Sequence, residues 1–328
     1  MQFLRRTALA VTVTSAVIGG CLVAATASIA AKAHPAKSGY KLALIPGLAG
    51  DPFYITMECG AKAEAKKLGD TLTYQGPSQF EPSLQIPIVN SVTATHPAAM
   101  LVAPTDTSAL FAPLKAATQD GIKLVLVDTT LKNTSIAASR VSSNNVLGGE
   151  DVFKALKQLD PKGGDIMALA VQPGVSTNDE RLQGFEEAAK KDPKFHFVGV
   201  QYDNDETSQA TQETTAMLQK YPNLVGIFGA STYSVDGAVT GLRQAGKSGK
   251  VSLVGFDAEP AELAQLKAGT VQALIAQQPY TEGEDGVIQA VNALNGKPVT
   301  KVIATGTQII TKTNLKTQGP KYAYKSAC

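Results

Sequence analysis

The run Leu42-Ala43-Leu44-Ile45, followed by Pro46-Gly47-Leu48-Ala49-Gly50-Asp51-Pro52-Phe53-Tyr54, organises the reading of this 328-residue chain. Four consecutive apolar residues fit a strand buried on both faces, the mark of a parallel sheet. Asp51 and Pro52 then have the chemistry of a helix N-cap and a first-turn proline. Beyond them Phe53, Met57, Ala61 and Leu68 fall on one helical face while Glu58, Lys62 and Lys66 point away, with Glu64 a misfit on the apolar side. The loop between strand and helix is no phosphate cradle, because it lacks both GxGxxG and a Gly-Lys-Ser/Thr ending.

The same strand-then-helix unit recurs along the chain. Short apolar runs return at Ala99–Ala103, Leu124–Val127, Ile166–Val171, Phe197–Val200, Val225–Phe228, Leu253–Phe256 and Val271–Ala276. Amphipathic stretches of about 10–16 residues separate them. That alternation predicts an α/β protein with right-handed crossovers, and the length predicts two doubly wound parallel-sheet lobes rather than one. No Gly/Pro/Ser-rich linker divides the lobes, so several short passes of chain are expected to join them.

In doubly wound sheets a ligand binds beyond the carboxyl ends of the strands, and the residues there carry two readings each. Asp51 is an N-cap or a ligand group, with Phe53 and Tyr54 either core residues or aromatics that stack on an apolar ligand face. Pro104-Thr105-Asp106 reads as a turn and helix cap. Asp128 and Asp257 end two of the apolar runs. Each alone is an ordinary cap; in matching positions of two lobes they form a pair of planar acceptors suited to vicinal hydroxyls. Arg181, in Asn178-Asp179-Glu180-Arg181-Leu182-Gln183-Gly184-Phe185, is either a surface cation or a multi-donor fork aimed at ligand oxygens.

Composition excludes several classes. Apolar residues at 44% and charged residues at 18% supply real cores and argue against disorder. A formal charge of +2, from 30 basic and 28 acidic residues without a like-charged run, argues against nucleic acid as a partner. His34, His96 and His196 lack metal-ligand spacing, no Cys-x-x-Cys occurs, and the region after the leader has no Gly-x-Ser-x-Gly elbow. Neither a metal, a cofactor nor an enzymatic activity is expected.

Residues 1–33 read as an export signal: Arg5-Arg6, an apolar and small-residue stretch over 7–31, and Ala31-Lys32-Ala33 before His34. Ala25-Thr26-Ala27 and Ser28-Ile29-Ala30 are competing cleavage sites. The stretch is too rich in Ala, Thr, Ser and Gly to make a strong membrane anchor. Ile18-Gly19-Gly20-Cys21 has the form of a lipoprotein box, but apolar residues continue past it to Ala31, where a polar tether would be needed. Removing the signal takes three of the 30 basic residues (Arg5, Arg6, Lys32) and no acid, so the mature chain carries 27 basic and 28 acidic residues, a net −1.

Taken in order, these segments resemble the ribose-binding-protein branch of the periplasmic sugar-binding proteins that serve ABC importers. The likeness runs over about residues 40–310 through Leu42–Ile45, Asp51-Pro52-Phe53-Tyr54, Gly60-Ala61-Lys62, Lys67-Leu68-Gly69, Pro104-Thr105-Asp106, Asp128, Asn144-Asn145-Val146-Leu147-Gly148-Gly149, Arg181 with Gly184-Phe185, Val254-Gly255-Phe256-Asp257 and Ile275-Ala276-Gln277. The resemblance implies a type I periplasmic binding fold: a lobe of residues 40–143 plus 278–305, a lobe of 144–277 plus 306–312, three hinge crossovers, and a tail of 313–328. It further implies a monomer in the periplasm that closes on a monosaccharide or sugar alcohol and delivers it to a membrane permease. Phe53 and Tyr54 then stack on the sugar, and Asp51, Asp128, Arg181, Ser231, Asp257 and Gln277 hold its hydroxyls. Ribose binders have Asn where Asp51 stands, Arg where Thr129 stands, and Asn-Asp where Ser231-Thr232 stands. The exchanges make the pocket more acidic and roomier, so a different pentose, a hexose, a sugar alcohol or an amino sugar is expected. The rivals are a periplasmic signalling module for an autoinducer or sugar, the sensory half of a repressor, which the export signal contradicts, and an exported enzyme.

The cysteines close the reading. With Cys21 lost in the signal, Cys59 and Cys328 remain in an oxidising compartment. Cys59 lies about 200° from Met57 around the helix, which predicts a solvent-facing thiol. A Cys59–Cys328 disulfide pinning the tail to the outside of the first lobe is expected.

Overall fold

A computed structural model describes residues 38–328. The export signal, its cleavage sites, Cys21 and His34 lie outside them.

Two six-stranded sheets form the frame. The first contains β1 (Lys41–Ile45), β2 (Thr71–Tyr74), β3 (Ala99–Val102), β4 (Lys123–Val127), β5 (Ser139–Ser143) and β11 (Val302–Thr305), in the order β11-β5-β4-β3-β1-β2, with every pair parallel. The second contains β6 (Gly164–Ala170), β7 (Phe195–Tyr202), β8 (Leu224–Gly229), β9 (Ser252–Phe256), β10 (Ala273–Ala276) and β12 (Gln308–Thr311), in the order β12-β10-β9-β8-β6-β7. Replacing β1–β5 by β6–β10 maps one order onto the other, so the sheets repeat one winding. They differ at the edge: β11 runs parallel to β5, whereas β12 runs antiparallel to β10. A single segment crosses from β11 to β12 through Gly306-Thr307, and its direction suits only one sheet. The chain passes between sheets twice more, after β5 and after β10. The α/β class, the two doubly wound sheets and the three crossovers agree with the expectation from sequence.

Helices α1 (Pro52–Lys67), α2 (Pro82–Ala94), α3 (Phe111–Gln119) and α9 (Pro279–Leu294) pack on the first sheet or on one another. Helices α4 (Asn145–Leu159), α5 (Ser176–Lys190), α6 (Thr207–Lys220), α7 (Thr232–Gln244) and α8 (Pro260–Ala268) serve the second, and α10 (Leu315–Tyr322) lies against β12 and α8. Two helix pairs approach closely enough to need glycine. A Cβ on Gly60 of α1 would collide with the Tyr280 carbonyl, and one on Gly283 of α9 with the Met57 carbonyl. Between α4 and α5, Gly149 faces the Arg181 carbonyl and Gly184 faces the Val146 carbonyl in the same reciprocal way. The second pair matters for function, because it seats the helix that carries Arg181.

Glu64 is buried on the apolar face of α1, as its misfit position foretold, and Lys67 donates to it at 2.8 Å. Cys59 corrects the sequence reading. It does bond Cys328, with Cα atoms 5.3 Å apart, but it is only 6% exposed. The helical angle was blind to the tail that covers it.

Candidate functional site

Each sheet ends one central strand in a buried aspartate. Asp128 follows β4 and Asp257 follows β9; their backbone N–H groups extend the ladder to Val141 O (2.8 Å) and Ile275 O (2.9 Å). Both have left-handed backbones, φ 57° and 89°. That conformation is costly for a residue with a Cβ and tends to be kept where a ligand is gripped. It turns each strand out of its sheet at the point where the carboxylate must leave the ladder.

These two carboxylates line one cavity between the sheets, together with Asp51, Phe53, Tyr54, Arg181, Ser231 and Gln277. All eight sequence-derived candidates therefore converge. The cavity measures about 70 Å³, room for about five waters, which in liquid fill about 150 Å³, close to the bulk of one sugar ring.

Local structure explains how each side chain is held. Asp51 is both cap and lining: its Oδ1 accepts from the N–H groups of Phe53 (2.8 Å) and Tyr54 (3.4 Å), starting α1. Phe53 and Tyr54 meet edge to face at 5.2 Å, and the Tyr54 hydroxyl donates to Asp128 Oδ2 at 2.6 Å. Arg181 is no surface cation, being 4% exposed. Its Nε–H donates to Asn145 Oδ1 (2.9 Å), one Nη1–H donates to Ala230 O (2.7 Å), and its guanidinium carbon sits over the Phe256 ring, 3.8 Å from the ring centre. Two of its five donors are thus engaged, and the residue lines the cavity. Gln277, following β10 at a crossover, donates through Nε2 to Asp257 Oδ1 at 2.6 Å, while its buried Oε1 has no partner among the described residues. Ser231 caps α7 and donates to Asp205 Oδ1 at 2.9 Å.

Several lining residues escaped the sequence reading. Asp205 stands in the turn after β7 and Glu259 in the turn after β9, just beyond Asp257. Phe80 and Tyr233 add aromatic surface, and Asn178 and Thr177 come from the first turn of α5. Phe80 sits beyond β2, a strand too polar to announce itself. Thr129, whose small size the sequence marked, does not line this cavity. It lines a neighbouring one of about 230 Å³ that shares Asp128.

Five carboxyls thus surround a cavity with one guanidinium, and burial raises the pKa of each. Asp128 is pushed up to about 6 despite the Tyr54 hydrogen bond and Arg181. Asp205 and Glu259 are pushed to about 7, in both cases chiefly by desolvation and then by neighbouring carboxylates. Asp51 is raised well above its ordinary value by burial and by Glu259, Asp257 and Asp205. Asp257 is raised by burial, against Arg181, Gln277 and Tyr324, which favour its ionised form. Carboxyl groups that gain or lose a proton near neutral pH can accept from or donate to a ligand, a site that answers several hydroxyl or amino groups around a ring-sized body.

Comparison with known proteins agrees with this geometry. The family model described as periplasmic binding protein domain matches residues 42–298. The ribose import binding protein RbsB of Salmonella typhimurium is 29% identical, over 85% of this chain and 93% of its own length. A D-ribose/D-allose-binding protein of Pseudomonas aeruginosa is 30% identical, over 78% and 83%. An ABC transporter solute-binding protein from Agrobacterium vitis, solved with bound alpha-D-tagatopyranose, superposes with a TM-score of 0.85 at 36% identity, covering 87% of this chain and 99% of its own. The chain belongs to the periplasmic binding protein family, in the branch of the ribose-binding proteins.

Proposed function

We propose that this protein binds a monosaccharide or sugar alcohol in the cavity between its sheets and delivers it to the permease of an ABC importer. The observation that carries this reading is the convergence of Asp51, Phe53, Tyr54, Asp128, Arg181, Ser231, Asp257 and Gln277 on one cavity of ring size. The family is one of transport proteins and not of enzymes, and no chemistry is done on the ligand.

Binding is coupled to hinge motion. The lobes that move are residues 40–143 with 278–305 and residues 144–277 with 306–312, the tail 313–328 being separate. Asp51, Tyr54 and Asp128 belong to one lobe and Arg181, Ser231 and Asp257 to the other, so a ligand touches all of them only when the lobes are closed. It therefore stabilises the closed form by the contacts that the open form lacks, and the closed form presents both lobes to the permease. Aromatic rings at Phe53 and Tyr54 cover the apolar face of the sugar, and the carboxylates and guanidinium satisfy its edge. Export precedes function, through cleavage of the signal near residue 33 into the periplasm.

A thermal-shift screen followed by calorimetry tests this. The panel is D-tagatose, D-allose, D-ribose, D-fucose, D-arabinose, common hexoses, pentitols, hexitols and D-glucosamine. At least one should bind with one-to-one stoichiometry and be recovered unchanged. Failure of the whole panel, or conversion of a bound sugar, would overturn the reading.

A further inference from the structure

The C-terminal tail reaches the site from behind. Helix α10 lies against β12 and α8, on the second sheet's side. The chain then crosses to α1, where Lys325 N–H donates to the buried Thr56 Oγ1 at 2.6 Å and Cys328 bonds Cys59. The tail is thus a fourth connection between the elements of the two sheets, and more than the clip on the outside of the first lobe that the cysteines foretold.

Between these anchors Tyr324 turns inward and is 4% exposed. Its backbone N–H donates to Ala258 O at 3.1 Å, and its ring meets Phe53 edge-on at 5.8 Å. Its hydroxyl donates to Asp257 Oδ1 at 2.9 Å and accepts from the Gln277 backbone N–H at 3.1 Å. One hydroxyl therefore ties together two cavity residues, Asp257 and Gln277, while the ring touches a third, Phe53, and Tyr324 does not itself line the cavity. The Tyr324 hydroxyl and the Gln277 amide both donate to Oδ1 of Asp257, so a ligand hydroxyl meets the other carboxylate oxygen in a fixed orientation.

We propose that Tyr324 is a positioning residue of the ligand site and that the Cys59–Cys328 disulfide holds it in place. A chain end frays unless it is tied down. Besides the Tyr324 side chain itself, the last residues are tied by the N–H groups of Tyr324 and Lys325, the Lys325 ammonium 4.8 Å from the Tyr280 ring centre, and the Cys328 sulfur's contact with Ile55 O. The covalent bond keeps the tail's local concentration at α1 high enough for the hydroxyl to stay on Asp257. This rests on reading the cavity as the sugar site, and the test separates the two.

The test compares wild type, Tyr324→Phe and Cys328→Ser by two measurements. In ligand-free protein, carboxyl carbon-13 NMR follows the titration of Asp257, assigned by loss of its signal in Asp257→Asn. Tyr324→Phe keeps the ring against Phe53 and removes only the donor, so the Asp257 midpoint should rise, because a donated hydrogen bond favours the ionised form. Cys328→Ser should move it the same way. Calorimetry with D-tagatose and D-allose should show binding weakened about tenfold or more in Tyr324→Phe for whichever sugar wild type binds. A midpoint unmoved in folded Tyr324→Phe overturns the positioning role, and one unmoved in Cys328→Ser overturns the part given to the disulfide. Should wild type bind neither sugar, the identity of the ligand needs revision while the midpoints still decide the role of Tyr324. Should Tyr324→Phe fail to fold, wild type reduced with a phosphine supplies the comparison.

Discussion

Replacing Glu282 with Gln should make this protein more stable at alkaline pH, although it removes a hydrogen-bonding carboxyl from the centre of the hinge. Glu282 lies in the first turn of α9 and is fully buried. Its Oε1 accepts from Ser143 Oγ at 2.7 Å and Thr305 Oγ1 at 2.9 Å. Ser143 ends β5, Thr305 ends β11 and Glu282 follows β10, so one carboxyl group joins all three crossovers. Burial, with the charge of Asp128 added, pushes its pKa from 4.5 up to about 8, against the two hydroxyls and Arg181. Between those values the folded protein keeps a proton that the unfolded chain has released. The contribution of Glu282 to stability is therefore fully present below about pH 4.5 and is lost as pH rises through about 8. Each tenfold change in acidity constant is worth about 1.4 kcal/mol, which sets the loss at no more than about 5 kcal/mol.

Glutamine has no proton to lose and keeps an acceptor oxygen for Ser143 and Thr305. Guanidinium unfolding of ligand-free wild type and Glu282→Gln, from about pH 5 to about pH 9, isolates this residue, because Asp128, Asp205 and Glu259 titrate in both proteins. The two should agree within about 1 kcal/mol at the acid end, the cost of one unpaired amide donor. At the alkaline end the variant should be the more stable by about 2 kcal/mol or more. Parallel curves across the range would refute the reasoning, since they would show that Glu282 is ionised in the folded protein throughout.

Arg181→Ala should weaken binding of the cognate sugar by about 3 kcal/mol, since it removes charge-assisted bonds and leaves Asn145 Oδ1 and the Ala230 carbonyl without their donor; unchanged affinity by calorimetry would sink the assignment. Gly184→Val should lower the thermal midpoint by several degrees, because its side chain would collide with the Val146 backbone and drive α5 from α4; circular dichroism melting is the check. Affinity should fall as pH drops through about 6, where Asp128 gains a proton and stops being a pure acceptor, and calorimetry at about pH 7.5 and about pH 5 reads this. Asp128→Asn should remove the part of the fall centred at about pH 6 and leave the part that Asp205 and Glu259 contribute at about pH 7; an unchanged profile in the variant would place the titrating group elsewhere.

The central strands were legible because they are buried on both faces. Each of the eight apolar runs lies in or overlaps a strand or its end. The strands that escaped, Thr71–Tyr74, Ser139–Ser143, Val302–Thr305 and Gln308–Thr311, lie towards the sheet margins. There half-exposed positions admit Thr, Ser, Arg and Gln, and the polar run Ser-Arg-Val-Ser-Ser reads as loop. Asp128, Asp257 and Gln277 were legible in the site because each directly follows a buried strand. Asp205 lacks that marker, because it stands beyond a turn after β7, a strand that is mostly half-buried. Phe80 and Tyr233 had no such marker.

Local chemistry by itself determined the alternation of the apolar strands with helices, the capping of α1 by Asp51 and several of the places where a ligand group can leave a sheet, because those depend on neighbours within a few residues. The cysteine count also identified the pair Cys59 and Cys328. What only the tertiary structure decided is where chain segments meet. Tyr324 reaches Asp257 across 67 positions and Lys325 reaches Thr56 across 269, contacts that exist only because two sheets, three crossovers and one disulfide bring them together. The burial of Cys59 and the raised pKa values of the cavity carboxyls have the same origin: both depend on what covers a residue, and the covering chain is remote in sequence.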